Sequence, residues 1–579
     1  MIKQIILVLT FASFLFCIPC SAKTVSEVSD ADQTVKPYHE EKIKSLIATC
    51  QLWGFLKYHH PYVAAGKYDW DKELISRIPE ILETENEGDW KKLLDNWITI
   101  LPLVKENKEK KLPNKKATSK PNYGELFNPE YFNAETISKT KYILDNAVVS
   151  TSHYISVNNI SGQLSITNEL PYSDLLFPDL PYRLLTLFRY WNIVNYFFPY
   201  RDMCDQKWSE VLVEMLPAFI FCENAEEYIS ACLKLVTKID DSHAYLNAQN
   251  YIFSLSRGML RVPFETRFIE NKLVITTFTG EDALVKENLK VGDVVTAIDG
   301  QPVDSILKKQ LPYTPASNYA VKLRSIASRI LNGNETFANI TIQRDNQSYE
   351  IRVPRYDPRK LKIPENGITD ADTTGYRIIN RNIGYVLASK CKSNNRETGI
   401  NLVLNGTRGL IIDLRCYPGD YISFPFLDRL YHETMKFSLV SYADISWPGY
   451  FFIANDGQYP RVQQDQQRLY RKKVVVMVNE YTQSSAEDNV LGFQLAPNVT
   501  VIGSTTAGAD GKVVNFNMPG GITTYMTGLG VYYPDGSNLQ RCGVHIDEVI
   551  NPTLEGIKKG KDEVLEKAIE IIEKDSLPN

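Results

Sequence analysis

Lys473 to Leu491 reads KVVVMVNEYTQSSAEDNVL, and its reading decides the fold. Val474-Val475-Val476-Met477-Val478 is an unbroken apolar, mostly β-branched run, as expected of a strand covered on both faces. Polar residues follow, and then a segment with helical spacing. A strand, a sharp turn and a helix lift a serine clear of a sheet and aim the next backbone N–H at whatever binds there. Ser484 and Ser485 are the candidates. The same letters also fit a plain structural device. Ser484-Ser485-Ala486-Glu487 matches a capping box, in which the serine only satisfies free helix donors. The rest of the chain decides between the two.

With 579 residues the chain has length for about three or four domains. It is 44% hydrophobic and 23% charged, enough to bury real cores. A formal net charge of -5 supplies no basic field for nucleic acid. The start, MIKQIILVLTFASFLFCIPCSAKT, has a positive Lys3 and an apolar Ile5 to Phe16, too short to span a bilayer comfortably. Small residues precede a cut after Ala22, so residues 1–22 read as a signal peptide and the product as exported. A lipid anchor on Cys20 is the alternative, disfavoured by Pro19. No later run is long and apolar enough for a membrane span. Seven cysteines remain after residue 22, none in a C-x-x-C pair, so a zinc or redox motif is not expected. One disulfide is compatible with export, its pairing undetermined.

Residues from about 23 to 40 read as a linker, and the helical first unit is assigned to 23–140. CQLWGFLKYHHPY (Cys50 to Tyr62) and FRYWNIVNYFFPY (Phe188 to Tyr200) belong to an internal repeat at a shift of 138 residues. Trp53 maps on Trp191, Tyr58 on Tyr196, Pro61 on Pro199, Trp70 on Trp208 and Pro79 on Pro217. These aromatics read as core, and His59 and His60 as packing or surface residues. A small β element is expected over 141–178. The second copy, 179–250, ends in KLVTKIDDSHAYLNA and alone carries Ser242-His243. From 257 to 355 the runs LVITTF, DVVTAID and ANITIQR, split by Gly-Asp and Asp-Gly turns, read as β. Leu289 to Val303, LKVGDVVTAIDGQPV, resembles the PDZ pattern, a module that adds an extended peptide to a sheet edge. An ordinary small β domain is the bland alternative. Over 371–579 short apolar runs alternate with helical segments, the signature of an α/β core.

The chemistry-bearing segments come in a fixed order. Ser242-His243 is followed by Asp413-Leu414-Arg415-Cys416-Tyr417-Pro418-Gly419, then Thr482-Gln483-Ser484-Ser485-Ala486-Glu487, then Gly543-Val544-His545-Ile546-Asp547. In this order they resemble the C-terminal processing protease family of serine peptidases, on its tricorn-core branch. The resemblance implies a multidomain α/β and α+β protein: a helical repeat region, a PDZ-like module and a ClpP/crotonase-like α/β protease core. It implies Ser484 as nucleophile, His243 as base, and oxyanion donors from the backbone N–H groups of Gly419 and Ser485. Ser242 and Gln540 become orienting groups, although the branch places a glutamate where Gln540 stands. Asp413 and Arg415 read as scaffold, and His545 receives no role. The family's other branch uses lysine near the place of Ala509; Lys512 is displaced from it and reads as solvated. No metal or organic cofactor is implied. A serine hydroxyl needs a base to become a good nucleophile, and an imidazole titrates where it can serve.

The expected function is therefore that of an exported serine endopeptidase of the periplasm, envelope or exterior, acting on peptides or proteins through a Ser484 acyl-enzyme. The alternative is a non-catalytic peptide- or ligand-binding envelope protein on the same scaffold.

Overall fold

The computed structural model describes residues 40–575 apart from 159, 249–250, 281, 363–374, 381, 432–435 and 455–468. The signal peptide, Cys17, Cys20 and the linker before residue 40 lie outside the described residues.

Val474–Val478 is the central strand of a six-stranded sheet, and every one of its side chains is buried. The order is Tyr376–Ile379, Ile383–Leu387, Leu410–Asp413, Val474–Val478, Val499–Gly503, Glu548–Val549. Only the first pair is antiparallel. Helices Arg396–Leu404, Ser485–Phe493 and Glu563–Asp575 contribute apolar residues to its core. A parallel sheet covered this way explains why its strands read as continuous apolar runs.

The helical part contains Glu40–His59, Trp70–Glu83 and Glu87–Thr99, followed later by Leu180–Phe197, Trp208–Phe221 and Ala225–Thr237. The second and third helices of each trio share bounds at an offset of 138 residues. In the first trio each of Trp53 and Trp70 donates its indole N–H to the other's carbonyl, both at 2.9 Å. Trp191 and Trp208 make the same exchange at 2.8 and 2.9 Å. The long helices of the two trios touch where Gly54 faces Asn192, which stands at the equivalent position. A Cβ on Gly54 would fall 1.8 Å from Asn192 Oδ1, so only glycine permits this approach. Asn192 donates to Cys50 O at 2.9 Å. A buried ionic cluster adjoins the crossing, with Lys57 and Arg189 each facing Glu169 and Asp71. Glu169 enters it from the segment between the trios.

Residues 257–355 form a six-stranded sheet from Phe264–Ile269 to Gln347–Pro354 around their own apolar core, with helices Val303–Gln310 and Tyr319–Ala327.

One boundary differs from expectation. Helix Ala134–Asn146 runs into the segment expected to be β, which is reduced to the hairpin Ile155–Val157 and Leu164–Ile166. The cause is the Asn133 cap, whose side chain accepts from Thr136 N and starts a helix across the border. The segments also interleave. Ala117–Ser119 pairs with Phe451–Ile453, and Tyr245–Ala248 pairs with Ile522–Thr527. All seven cysteines in the described residues are free. Among the described residues no helix is long and apolar enough to cross a membrane.

Candidate active site

Ser484 stands between the central strand and the helix Ser485–Phe493, at φ 55° and ψ −119°. An ordinary helix cap takes extended angles. This backbone is instead the sparsely populated kind that persists only where the surroundings enforce it. The enforcement is visible. Ser484 N–H donates to Ala509 O at 2.9 Å and to Glu487 Oε2 at 3.2 Å. Glu487, fully buried, also accepts from Thr506 Oγ1 at 2.6 Å, Gly508 N at 2.8 Å and Ala509 N at 3.0 Å. The glutamate that sequence assigned to a capping box thus clamps the serine turn to the 506–509 loop. Gly508 makes that loop possible with φ 61°, where a Cβ would fall 2.7 Å from the Arg541 backbone. Burial raises the Glu487 carboxyl above its usual range, against the pull of these donors.

His243 follows the helix Ala225–Thr237 through a turn that leads into Tyr245–Ala248. The pairing of that strand with Ile522–Thr527 brings it to the core. Its Nδ1 lies 2.8 Å from Thr527 Oγ1, while Nε2 is sealed from solvent and has no hydrogen-bond partner among the described residues. Burial lowers the imidazole pKa, and the Asp241 charge partly restores it. Asp241 is fully buried, accepting from His243 N at 3.1 Å, Thr527 N at 2.7 Å and Gln540 Nε2 at 3.3 Å.

The serine and histidine turns are neighbours. Gln483 Nε2 donates to Ser242 O at 3.1 Å. Ser242 Oγ donates to Ala507 O at 3.1 Å and accepts from Ser317 N at 2.9 Å. Asn318 Nδ2 reaches Thr506 O at 2.8 Å. Residues 317–318, from the 257–355 segment, therefore sit inside the same hydrogen-bonded ring. No hydrogen bond joins Ser484 Oγ to His243 among the described residues.

The remaining expected residues fall differently. Ser242 contacts the loops rather than the imidazole. Gln540, 1% exposed, reaches Asp241 and not the ring. Ser485 N–H opens the helix without an acceptor among the described residues. Gly419 N–H donates to Ala388 O at 2.9 Å, so in this structure its single hydrogen is engaged there. The loop that carries it is tied to the serine helix. Tyr421 OH donates to Asp488 Oδ2 at 2.7 Å, and Asn489 Oδ1 accepts from Ile422 and Ser423 N. Arg415 joins Asp413 to Asp562, a strand-end brace. Lys512 is exposed and Ala509 fully buried, so no lysine occupies the place the other branch would use. His545 is exposed beside Asp547.

Asp241, Thr527 and the clamp role of Glu487 escaped sequence reading. Asp241 looks no different from Asp240 in IDDSH, and only the strand pairing selects it. Nothing in the letters marks Thr527.

Residues 382–550 match the family model described as Peptidase family S41. Mature CPAF is similar in structure, at a TM-score of 0.54 and 13% identity over 69% of this chain and 99% of that one. CPAF complexed with lactacystin gives 0.52 and 12% over 68% and 98%. A putative peptidase from Parabacteroides merdae gives 0.41 and 16% over 69% and 100%. No curated protein sequence matches the chain. The match over 382–550 makes the α/β part a serine peptidase domain. Within the chain, residues 382–550 therefore carry a Peptidase family S41 domain.

Proposed function

We propose that the chain is an exported serine endopeptidase in which Ser484 is the nucleophile and His243 the general base. One observation carries this reading. A serine held at left-handed φ on a strand–helix elbow is hydrogen-bonded through its neighbour Gln483 to the turn of an imidazole with a free, desolvated Nε2. With Nδ1–H donating to Thr527 Oγ1, Nε2 is the acceptor. It takes the Ser484 proton as Oγ attacks a peptide carbonyl, then returns it to the leaving amine. Water hydrolyses the acyl-enzyme by the same route. Asp241 favours the imidazolium formed in between, and Gln540 and Ser242 are positioning residues acting through Asp241 and the loops. Ser485 N–H is the first oxyanion donor. Gly419 N–H becomes the second only after leaving Ala388 O. The Ser242-His243 pair supports the tricorn-like branch, and the 257–355 segment is read as a PDZ-like module that delivers or gates the peptide. The matched helix trios support a duplicated helical unit. The N-terminal sequence supports export to the periplasm or envelope.

A fluorophosphonate probe tests this. The intact chain should label, and Ser484→Ala and His243→Ala should not. Labelling that survives Ser484→Ala refutes the assignment. The rival, a non-catalytic peptide-binding envelope protein, is favoured by the occupied Gly419 N–H and predicts no labelling of the intact chain.

A further inference from the structure

Next to the serine and histidine turns lies a cavity of about 630 Å³. Ser242 and Gln483, the chain neighbours of His243 and Ser484, form part of its wall, as does the half-exposed Tyr417. Arg257, Arg261, Arg324 and Arg329 also line it. They are not equivalent. Arg261 is paired with Glu265 at 3.1 Å. Arg324 is spent on the serine elbow, donating to Glu480 O and, at 3.0 Å, to Gln483 Oε1. Arg257 and Arg329 meet no carboxylate among the described residues. Arg257 lies over the Phe253 ring, and Arg329 donates to Thr314 Oγ1. Burial lowers the pKa of both, and the Arg257 charge lowers that of Arg329 further, to about 10. Two partly desolvated guanidinium groups that repel each other are a strain that an anion relieves. A carboxylate gives each a charge-assisted hydrogen bond.

We propose that this cavity is a specificity subsite that takes an Asp or Glu side chain of the substrate near the scissile bond, bound by Arg257 and Arg329. The inference rests on the peptidase reading above. An arginine fork suits a planar carboxylate and gives little to a neutral amide of the same shape. Arg324 couples the subsite to the elbow, so an occupied cavity bears on Gln483 and the Ser484 turn.

The test uses the full chain and quenched peptides with amidated ends, differing only by Glu or Gln at one position scanned across the cleaved bond. At one position Glu should raise kcat/KM about tenfold. The double substitution Arg257→Gln with Arg329→Gln should bring the pair to parity, and Arg329→Glu should turn the preference toward Lys. Equal cleavage of both peptides at every position overturns the inference while leaving the peptidase reading intact. So does a preference that survives the double substitution, or one that appears only with a free chain end. Should neither peptide be cleaved, the peptidase reading fails. Fluorescence anisotropy of the same labelled pair then decides the arginine claim: tighter Glu binding lost in the double variant upholds it, and equal binding overturns it.

Discussion

Gln483 Nε2 donates to the Ser242 carbonyl at 3.1 Å, so the residue before the proposed nucleophile is tied to the residue before the proposed base. The bond spans two parts of the chain that share no local structure. It makes the geometry of the pair depend on how the helical part seats against the α/β core.

The pH dependence of hydrolysis follows from the His243 surroundings. Burial holds its pKa below the ordinary 6.5, and Asp241 pushes it back up. Catalysis needs the neutral imidazole, so kcat/KM should rise with pH along an acid limb centred below 6.5. Asp241→Asn removes the raising charge, which should move the limb to still lower pH and reduce kcat. A limb that moves upward in this variant contradicts the role given to Asp241.

Glu487 holds four donors around the serine turn. Glu487→Ala should cost about 3 kcal/mol or more in denaturant unfolding, because buried donors lose their acceptor. The loosened turn should also lower kcat/KM by about 10²-fold, the usual consequence of misplacing a reacting group by an ångström. An unchanged unfolding midpoint would show that the clamp is dispensable.

Asp488 and Asp510 form a second acidic pair beside the turn. Burial pushes Asp488 up to about 6, against the Tyr421 hydrogen bond. Burial and the charges of Asp488 and Glu487 raise Asp510. A carboxyl whose folded pKa is raised stabilises fully below its unfolded pKa and loses that contribution as pH rises through the folded value. Stability should therefore fall between about pH 4 and pH 7. Asp488→Asn should flatten that slope in thermal melts across the range, and an unaltered slope counts against it.

The paired tryptophans allow a comparison within one molecule. Trp70→Phe and Trp208→Phe each strip an indole donor from a buried carbonyl and leave a void. Each should destabilise by about 2–4 kcal/mol. Because the two exchanges have matching geometry, the losses should agree within about 1 kcal/mol. A tolerated substitution in one trio and a severe one in the other would show that the matching bonds do unequal work.

Local pattern carried the reading far in some places and failed in others for definable reasons. The run Val474–Val478 announces a doubly covered strand because every position is apolar, and the Trp70/Trp208 and Pro79/Pro217 pairs fall on helices with the same offset. The elbow at Ser484 was ambiguous because a capping box and a nucleophile turn need the same letters, and the structure combines the capping box with a φ of 55° that a plain cap does not take. Gly54 against Asn192 was illegible, since close approach is a property of two helices. The Gly419 hydrogen bond was illegible because a glycine after D-L-R gives no sign that Ala388 O accepts from it. Asp241 was hidden beside Asp240, two identical side chains that a single strand pairing sends to different partners.

The proposed assignment is tested most directly by a crystal structure of the chain inactivated by a fluorophosphonate. The account predicts a covalent bond to Ser484 Oγ, His243 Nε2 within about 3 Å of that oxygen, and Gly419 N–H turned from Ala388 O toward the phosphoryl oxygen. An adduct on another residue, or one on Ser484 with the His243 ring beyond hydrogen-bond reach and no other base beside it, contradicts the account.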